Sequence, residues 1–99
     1  MGRSVKDISQ GIEERRAKEL ESEGKIVIRN FTKGAPDLIW FQKAEDGKFY
    51  VGAEELKSKK DQRPQLSQLF ELQKLNKAGI NAKLVVENEE GELVSIVLQ

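Results

Sequence analysis

Short apolar segments separated by turn signals run along the whole of this 99-residue sequence. The longest unbroken apolar run, residues 38–41, has four residues, whereas a helix needs about 20 to cross a membrane. The sequence therefore contains neither such a helix nor the apolar core of a signal peptide. We expect one small domain, residues 1–99, in which several short elements share a core.

Two segments have the patterns of helices. The first runs from Ser4 or Asp7 to the residue before Gly24, which provides a left-handed stop. Ser4 and Asp7 form a predicted capping box at its start. Pro64 marks the first turn of the second helix, and Gly79 closes it.

Five other segments have the patterns of β-strands. An Asp46-Gly47 turn predicts a hairpin between the second and third of them, and the second is the most apolar and is expected to be central. The resulting order, αβββαββ, predicts an α/β (α+β) domain with a mixed β-sheet flanked by helices. The predicted strands are residues 25–29, 37–42, 49–57, 82–87 and 93–98.

The predicted hairpin brings three charged side chains to one face of the sheet. Its turn places Asp37 opposite either Glu55 or Lys57, depending on the loop type. Residues two apart on a strand share a face, so all three converge near the open end of the hairpin. Glu54 and Leu56 point the other way, and a slip of one residue would break the cluster.

The composition restricts the chemistry of such a cluster. The sequence has no histidine and no cysteine, which excludes zinc sites, disulfides, Ser-His-Asp triads and histidine-based nucleases. Any metal must be held by oxygen, which favours Mg²⁺ or Mn²⁺. A divalent cation would relieve the repulsion between Asp37 and Glu55, and the Leu56 carbonyl is a further candidate ligand. The alternative is an ordinary cross-strand salt bridge to Lys57.

Several motifs occur in a recognisable order. Gly-Ala-Pro-Asp-Leu-Ile at 34–39, then Glu-Leu-Lys at 55–57 after the hairpin, resemble the PD-(D/E)XK nuclease superfamily, and within it VRR-NUC domains and archaeal-type Holliday-junction resolvases. The spacing of Glu13, Gly24 and Asp37 is similar to that of the resolvases' helix acid, helix-ending glycine and first strand acid. Segment 68–79 is similar to the glutamine-bearing VRR-NUC helix. The resemblance covers roughly residues 13–86.

This resemblance implies a restriction-endonuclease-like core and a Mg²⁺-dependent endonuclease acting on DNA, with Holliday junctions or other branched DNA as substrate. The implied catalytic residues are Asp37, Glu55, Lys57, Glu13 and Gln68. The two strand acids would bind the metal, and the helix acid would be an additional metal or water contact. The lysine would orient or activate water, and the glutamine would hold the lysine or the water. Gln65 is the alternative to Gln68.

Basic residues follow the predicted site directly. The whole chain has 17 basic and 17 acidic residues, but segment 56–78 has six basic and two acidic ones. Lys59, Lys60 and Arg63 are candidate contacts to DNA phosphates, and a solvated loop is the alternative. Trp40 lies within the apolar run, which predicts a core position rather than a base-stacking one.

The last predicted strand has apolar side chains on both faces, which suggests that something covers the second face. A symmetric homodimer is the expected arrangement, since a resolvase-like enzyme would need two sites to cut two strands. The absence of cysteine fits a reducing cytoplasm, and so small a domain would suit a phage or mobile element. Two alternatives stay open: a noncatalytic DNA-binding module on a nuclease-like scaffold, and a nuclease active only within a larger complex.

Overall fold

The computed structural model describes residues 5–30, 36–58 and 66–97. Their element order confirms the predicted αβββαββ arrangement. The helices are α1 (Val5–Ser22) and α2 (Leu66–Lys77), and the strands are β1 (Ile26–Arg29), β2 (Leu38–Lys43), β3 (Phe49–Lys57), β4 (Asn81–Glu87) and β5 (Leu93–Val97).

The five strands form one mixed sheet in the order β1-β2-β3-β4-β5. Strands β3 and β4 are parallel and joined through α2, and the other neighbouring pairs are antiparallel. The middle strand is therefore β3, not β2 as expected. Strand β2 is the most apolar, but β3 is central because the crossover through α2 adds β4 on its far side.

Both helices end at the predicted glycines. Gly24 has a φ of 90° and Gly79 a φ of 93°, values in the left-handed region that other residues rarely adopt. Ser4 and Pro64, predicted at the two helix starts, lie outside the described residues. Neither described helix has the length and apolar character that crossing a membrane requires.

The two helices pack on opposite faces of the sheet, which we name the α1 face and the α2 face. On the α1 face, Leu20 of the helix packs with Leu38, Trp40 and Leu56 of the strands in one buried cluster. On the α2 face, Leu72 packs with Ala53, Ala82 and Leu84 in a second cluster. Alternate residues of β3 therefore enter different clusters.

Gly52 and Trp40 lie directly opposite each other on β3 and β2. A Cβ atom built on Gly52 would lie 1.9 Å from the Trp40 ring, so the indole lies directly against the glycine backbone. Trp40 is 6% exposed, which confirms its predicted core position. A glycine within a strand often marks such a close approach.

Gly52→Ala should destabilise the protein by about 1–3 kcal/mol, because the buried indole must move to admit the methyl group. Urea unfolding followed by Trp40 fluorescence measures this. Gly11→Ala is the control for loss of glycine itself, since Gly11 is exposed in α1, has nothing within 4 Å of an added Cβ and has no positive φ, so it should not destabilise the protein. A change in Gly52→Ala stability of under about 0.5 kcal/mol would contradict the close approach.

Candidate active site

The β2–β3 hairpin brings Asp37 and Glu55 together on the α2 face. Leu38 pairs with Glu54, so the preceding Asp37 lies beside Glu55, one of the two registers that the sequence allowed. The Leu56 backbone N–H donates a 2.8 Å hydrogen bond to Asp37 Oδ2. This bond ties the acid that precedes β2 to the strand that carries the other site residues.

Glu55 and Lys57 share that face at the end of β3 and are 6% and 9% exposed. Gln68, in the first turn of α2, donates a 2.9 Å hydrogen bond from Nε2 to Glu55 Oε1. The structure thus places the predicted glutamine in the cluster, while its alternative, Gln65, lies outside the described residues. Asp37, Glu55, Lys57 and Gln68 form a group that we name the acid-pair site.

Burial raises the pKa values of both acids, and the Asp37 charge further raises that of Glu55. The pKa of Glu55 is raised to about 8, first by desolvation and then by the Asp37 charge, with Lys57 opposing. The pKa of Asp37 is also raised by desolvation, against the hydrogen bond from the Leu56 amide. The two carboxyl groups are hydrogen-bonded to each other. At neutral pH Glu55 therefore carries the proton and donates a hydrogen bond to the Asp37 carboxylate.

Glu13 approaches the same end of the sheet from α1. Its carboxylate accepts a 3.3 Å hydrogen bond from Arg29 Nη2 at the end of β1. Burial and the Asp37 charge raise the pKa of Glu13, while Arg29 lowers it. Glu13 therefore lies close enough to the acid pair to interact with its charge. Its own ion pair, however, is with Arg29.

The donor set of the acid-pair site suits a hard cation. One buried and one half-buried carboxyl group that share a proton present oxygen ligands whose repulsion a divalent cation would relieve. Within residues 5–30, 36–58 and 66–97, no three acidic side chains form a metal-holding group. An ion at this site would be held first by the Asp37–Glu55 pair, with other oxygens completing its coordination.

Sequence reasoning missed two arginines near this site. Arg29 pairs with Glu13, and Arg16 forms a buried ion pair with Glu54 on the α1 face. Neither partner is close in sequence, and only the strand and helix positions reveal the pairs. The predicted DNA contacts, Lys59, Lys60 and Arg63, lie outside the described residues.

The arrangement of sheet and helices defines a class of fold, the nuclease-like α+β fold. A solved structure with this fold is the Holliday junction resolvase Hjc of the archaeal hyperthermophile Archaeoglobus fulgidus. The similarity covers 92% of this chain and 73% of that one, with a TM-score of 0.69 and 18% sequence identity. At that identity the similarity shows the fold alone. No protein-family description and no curated protein sequence matches this chain.

Proposed function

We propose that the protein is a metal-dependent endonuclease that hydrolyses DNA phosphodiester bonds, with Holliday junctions or other branched DNA as its substrates. The observation that carries this proposal is the acid pair of half-buried Asp37 and buried Glu55, next to Lys57 on one sheet face. Burying two acids side by side costs stability, and a cation site explains why a small domain holds such a pair. The resolvase activity of the structural neighbour supports the choice of substrate.

In this proposal Asp37 and Glu55 hold Mg²⁺ or Mn²⁺, and the Leu56 carbonyl is a further ligand. When bound, such an ion supplies positive charge for a phosphate oxygen and lowers the pKa of water. Lys57 orients the attacking water and stabilises negative charge that develops on the phosphate. Gln68 holds Glu55 in place through its amide, which matches the 2.9 Å contact.

Glu13 has a supporting role in the same proposal. Its carboxylate contributes negative charge beside the acids and is an additional contact for the metal or its water. Because Arg29 contacts Oε2 of that carboxylate, metal contact by Glu13 would use Oε1 or displace the guanidinium. Asp37 and Glu55 are therefore the primary ligands of the proposed site.

DNA contact by Lys59, Lys60 and Arg63, assembly as a homodimer and a cytoplasmic location complete the proposal. The dimer is supported by exposed apolar side chains on β5, since Val94, Ile96 and Val97 are each more than 40% exposed. Apolar groups on an edge strand are suited to contact with a second copy. Two copies would present two acid-pair sites to the two strands of a junction.

Cleavage of a DNA panel tests the proposed function. We expect the purified protein with Mg²⁺ or Mn²⁺ to cut a four-way junction in preference to a flap, a linear duplex or a single strand. Light scattering on the same preparation should give the mass of a dimer. Salt-sensitive binding without cleavage would favour the noncatalytic module, and activity only with an added partner would favour the larger complex. A chain that neither binds nor cuts any member of the panel contradicts the proposal.

A further inference from the structure

The sequence of β3 gives little indication of which of its residues should lie on the α1 face and which on the α2 face. Its α2 face carries Phe49, Val51 and Ala53 before Glu55. Its α1 face carries Tyr50 and Gly52 before Glu54 and Leu56. Both faces thus present an aromatic residue, then one or two small or aliphatic residues, then an acid. Register is strongly specified only where the two faces differ in apolar content, so another interaction must distinguish them.

The two faces differ in an ion pair on the α1 face between half-buried Arg16 and fully buried Glu54. Glu54 is 0% exposed, and Arg16 of α1 donates to both of its carboxylate oxygens, at 2.6 Å from Nε and 3.1 Å from Nη2. Trp40 Nε1 donates a third hydrogen bond, 3.1 Å long, to Glu54 Oε2. These three donors satisfy a charge that could not otherwise be buried.

The same indole lies against Gly52, so the two contacts act together. Trp40 accepts only a glycine opposite it and donates to the acid two residues further along β3. A shift of β3 by one residue would put Val51 or Ala53 against the indole. It would also move Glu54 away from Arg16 and bring it to the α2 face, beside Asp37.

We propose that the Arg16–Glu54 ion pair is a positioning device, which determines that Glu55 rather than Glu54 faces Asp37 and Lys57. Glu54 and Glu55 are adjacent in sequence, so only one of them can lie beside Asp37 on the α2 face. The ion pair with Arg16 keeps Glu54 on the α1 face. The consequence of this positioning, a metal site with the Glu55-Leu56-Lys57 spacing, rests on the proposed function. The register itself can be tested without any activity.

The test uses engineered disulfides, because the chain has no cysteine of its own. Gln42 pairs with Tyr50 in the observed register and would pair with Phe49 if β3 slipped by one residue. Paired cysteines form a disulfide only when their Cα atoms lie about 4.4–6.8 Å apart. In the chain that keeps Arg16, we expect Gln42→Cys/Tyr50→Cys to form its disulfide readily and Gln42→Cys/Phe49→Cys to form it poorly.

Arg16→Met should weaken this preference severalfold, because Glu54 in the observed register is then buried without its ion-pair partner, while the Gly52–Trp40 contact still favours that register. Arg16→Met/Glu54→Leu should restore the original preference, since leucine is buried on the α1 face without a partner charge. Arg16→Lys, which keeps a charge but not the two-donor geometry, should give an intermediate preference and serves if Arg16→Met does not fold. An unchanged preference in Arg16→Met or Arg16→Lys, with only lower stability, would overturn the inference.

Calorimetry with Mn²⁺ separates this inference from the proposed function. If the register inference and the metal site are both correct, the Mn²⁺ affinity of Arg16→Met falls about tenfold or more and returns in the double variant. If the unmodified chain binds no Mn²⁺ but the disulfide preference still weakens in Arg16→Met, the positioning role stands and the proposed function fails. If affinity falls while the preference stays constant, the ion pair acts on the site without setting the register, and the inference is wrong.

Discussion

Asp37→Asn, Glu55→Gln and Lys57→Ala should each lower Mg²⁺-dependent DNA cleavage by about a thousandfold or more. Loss of a charged group that stabilises a transition state typically removes several kcal/mol, and each 1.36 kcal/mol is about a factor of ten in rate. Single-turnover cleavage of a four-way junction with saturating protein measures the chemical step directly. The fold should persist, because a glutamine at position 55 can donate to Asp37 and still contact Gln68.

Control variants separate loss of chemistry from loss of structure. Glu89→Gln, an exposed acid in the β4–β5 turn, removes the same charge far from the site and should cut at the rate of the unmodified chain. Circular dichroism should show the same helix content for all four variants. Retention of near-normal cleavage by Asp37→Asn or Glu55→Gln would show that the acid pair is not the reaction centre.

Metal affinity should rise steeply with pH, by up to about tenfold per unit below about pH 8. The reason is the proton on Glu55, whose pKa is raised to about 8 by burial and by Asp37. A cation must displace that proton before both carboxylates can bind it. Calorimetric titrations with Mg²⁺ in buffers of different ionisation enthalpy give the affinity and the number of protons released at each pH.

The stability of the metal-free protein should change in the opposite direction. The pKa of Glu55 is higher in the folded chain than in the unfolded chain, so at pH values between these two pKa values the folded chain binds more protons. The free energy of unfolding therefore falls as pH rises from about 4.5 to about 8. Added Mg²⁺ should therefore stabilise the protein most at the alkaline end. Thermal unfolding across this range, with and without Mg²⁺, measures both effects.

Glu55→Gln is the matched control for the pH dependence, because it removes the titrating group and keeps its shape. Its metal-free stability should vary less with pH than that of the unmodified chain, and Mg²⁺ should release no proton from it. Metal binding that is equally tight at pH values well below and above 8 would contradict a shared proton in the acid-pair site.

Local signals predicted the elements well because their causes lie within a few residues. The ends of α1 and α2 follow from Gly24 and Gly79, whose backbone needs no distant partner. The hairpin follows from its Asp-Gly turn, which placed Asp37, Glu55 and Lys57 on one face. The turn left open only whether Asp37 lies opposite Glu55 or opposite Lys57. The central position of β3 was missed, since strand order depends on where α2 returns the chain.

By itself, the sequence determined the kinds and order of elements, the absence of nitrogen and sulfur metal ligands, and the approach of two acids to one lysine. Tertiary structure decided which of the two predicted pairings of Asp37 forms, and which partners Glu13 and Glu54 take. The reason is physical: the Arg16–Glu54 pair joins residues 38 positions apart, so no local pattern in the sequence specifies it. Such a contact exists only once α1 packs on the sheet.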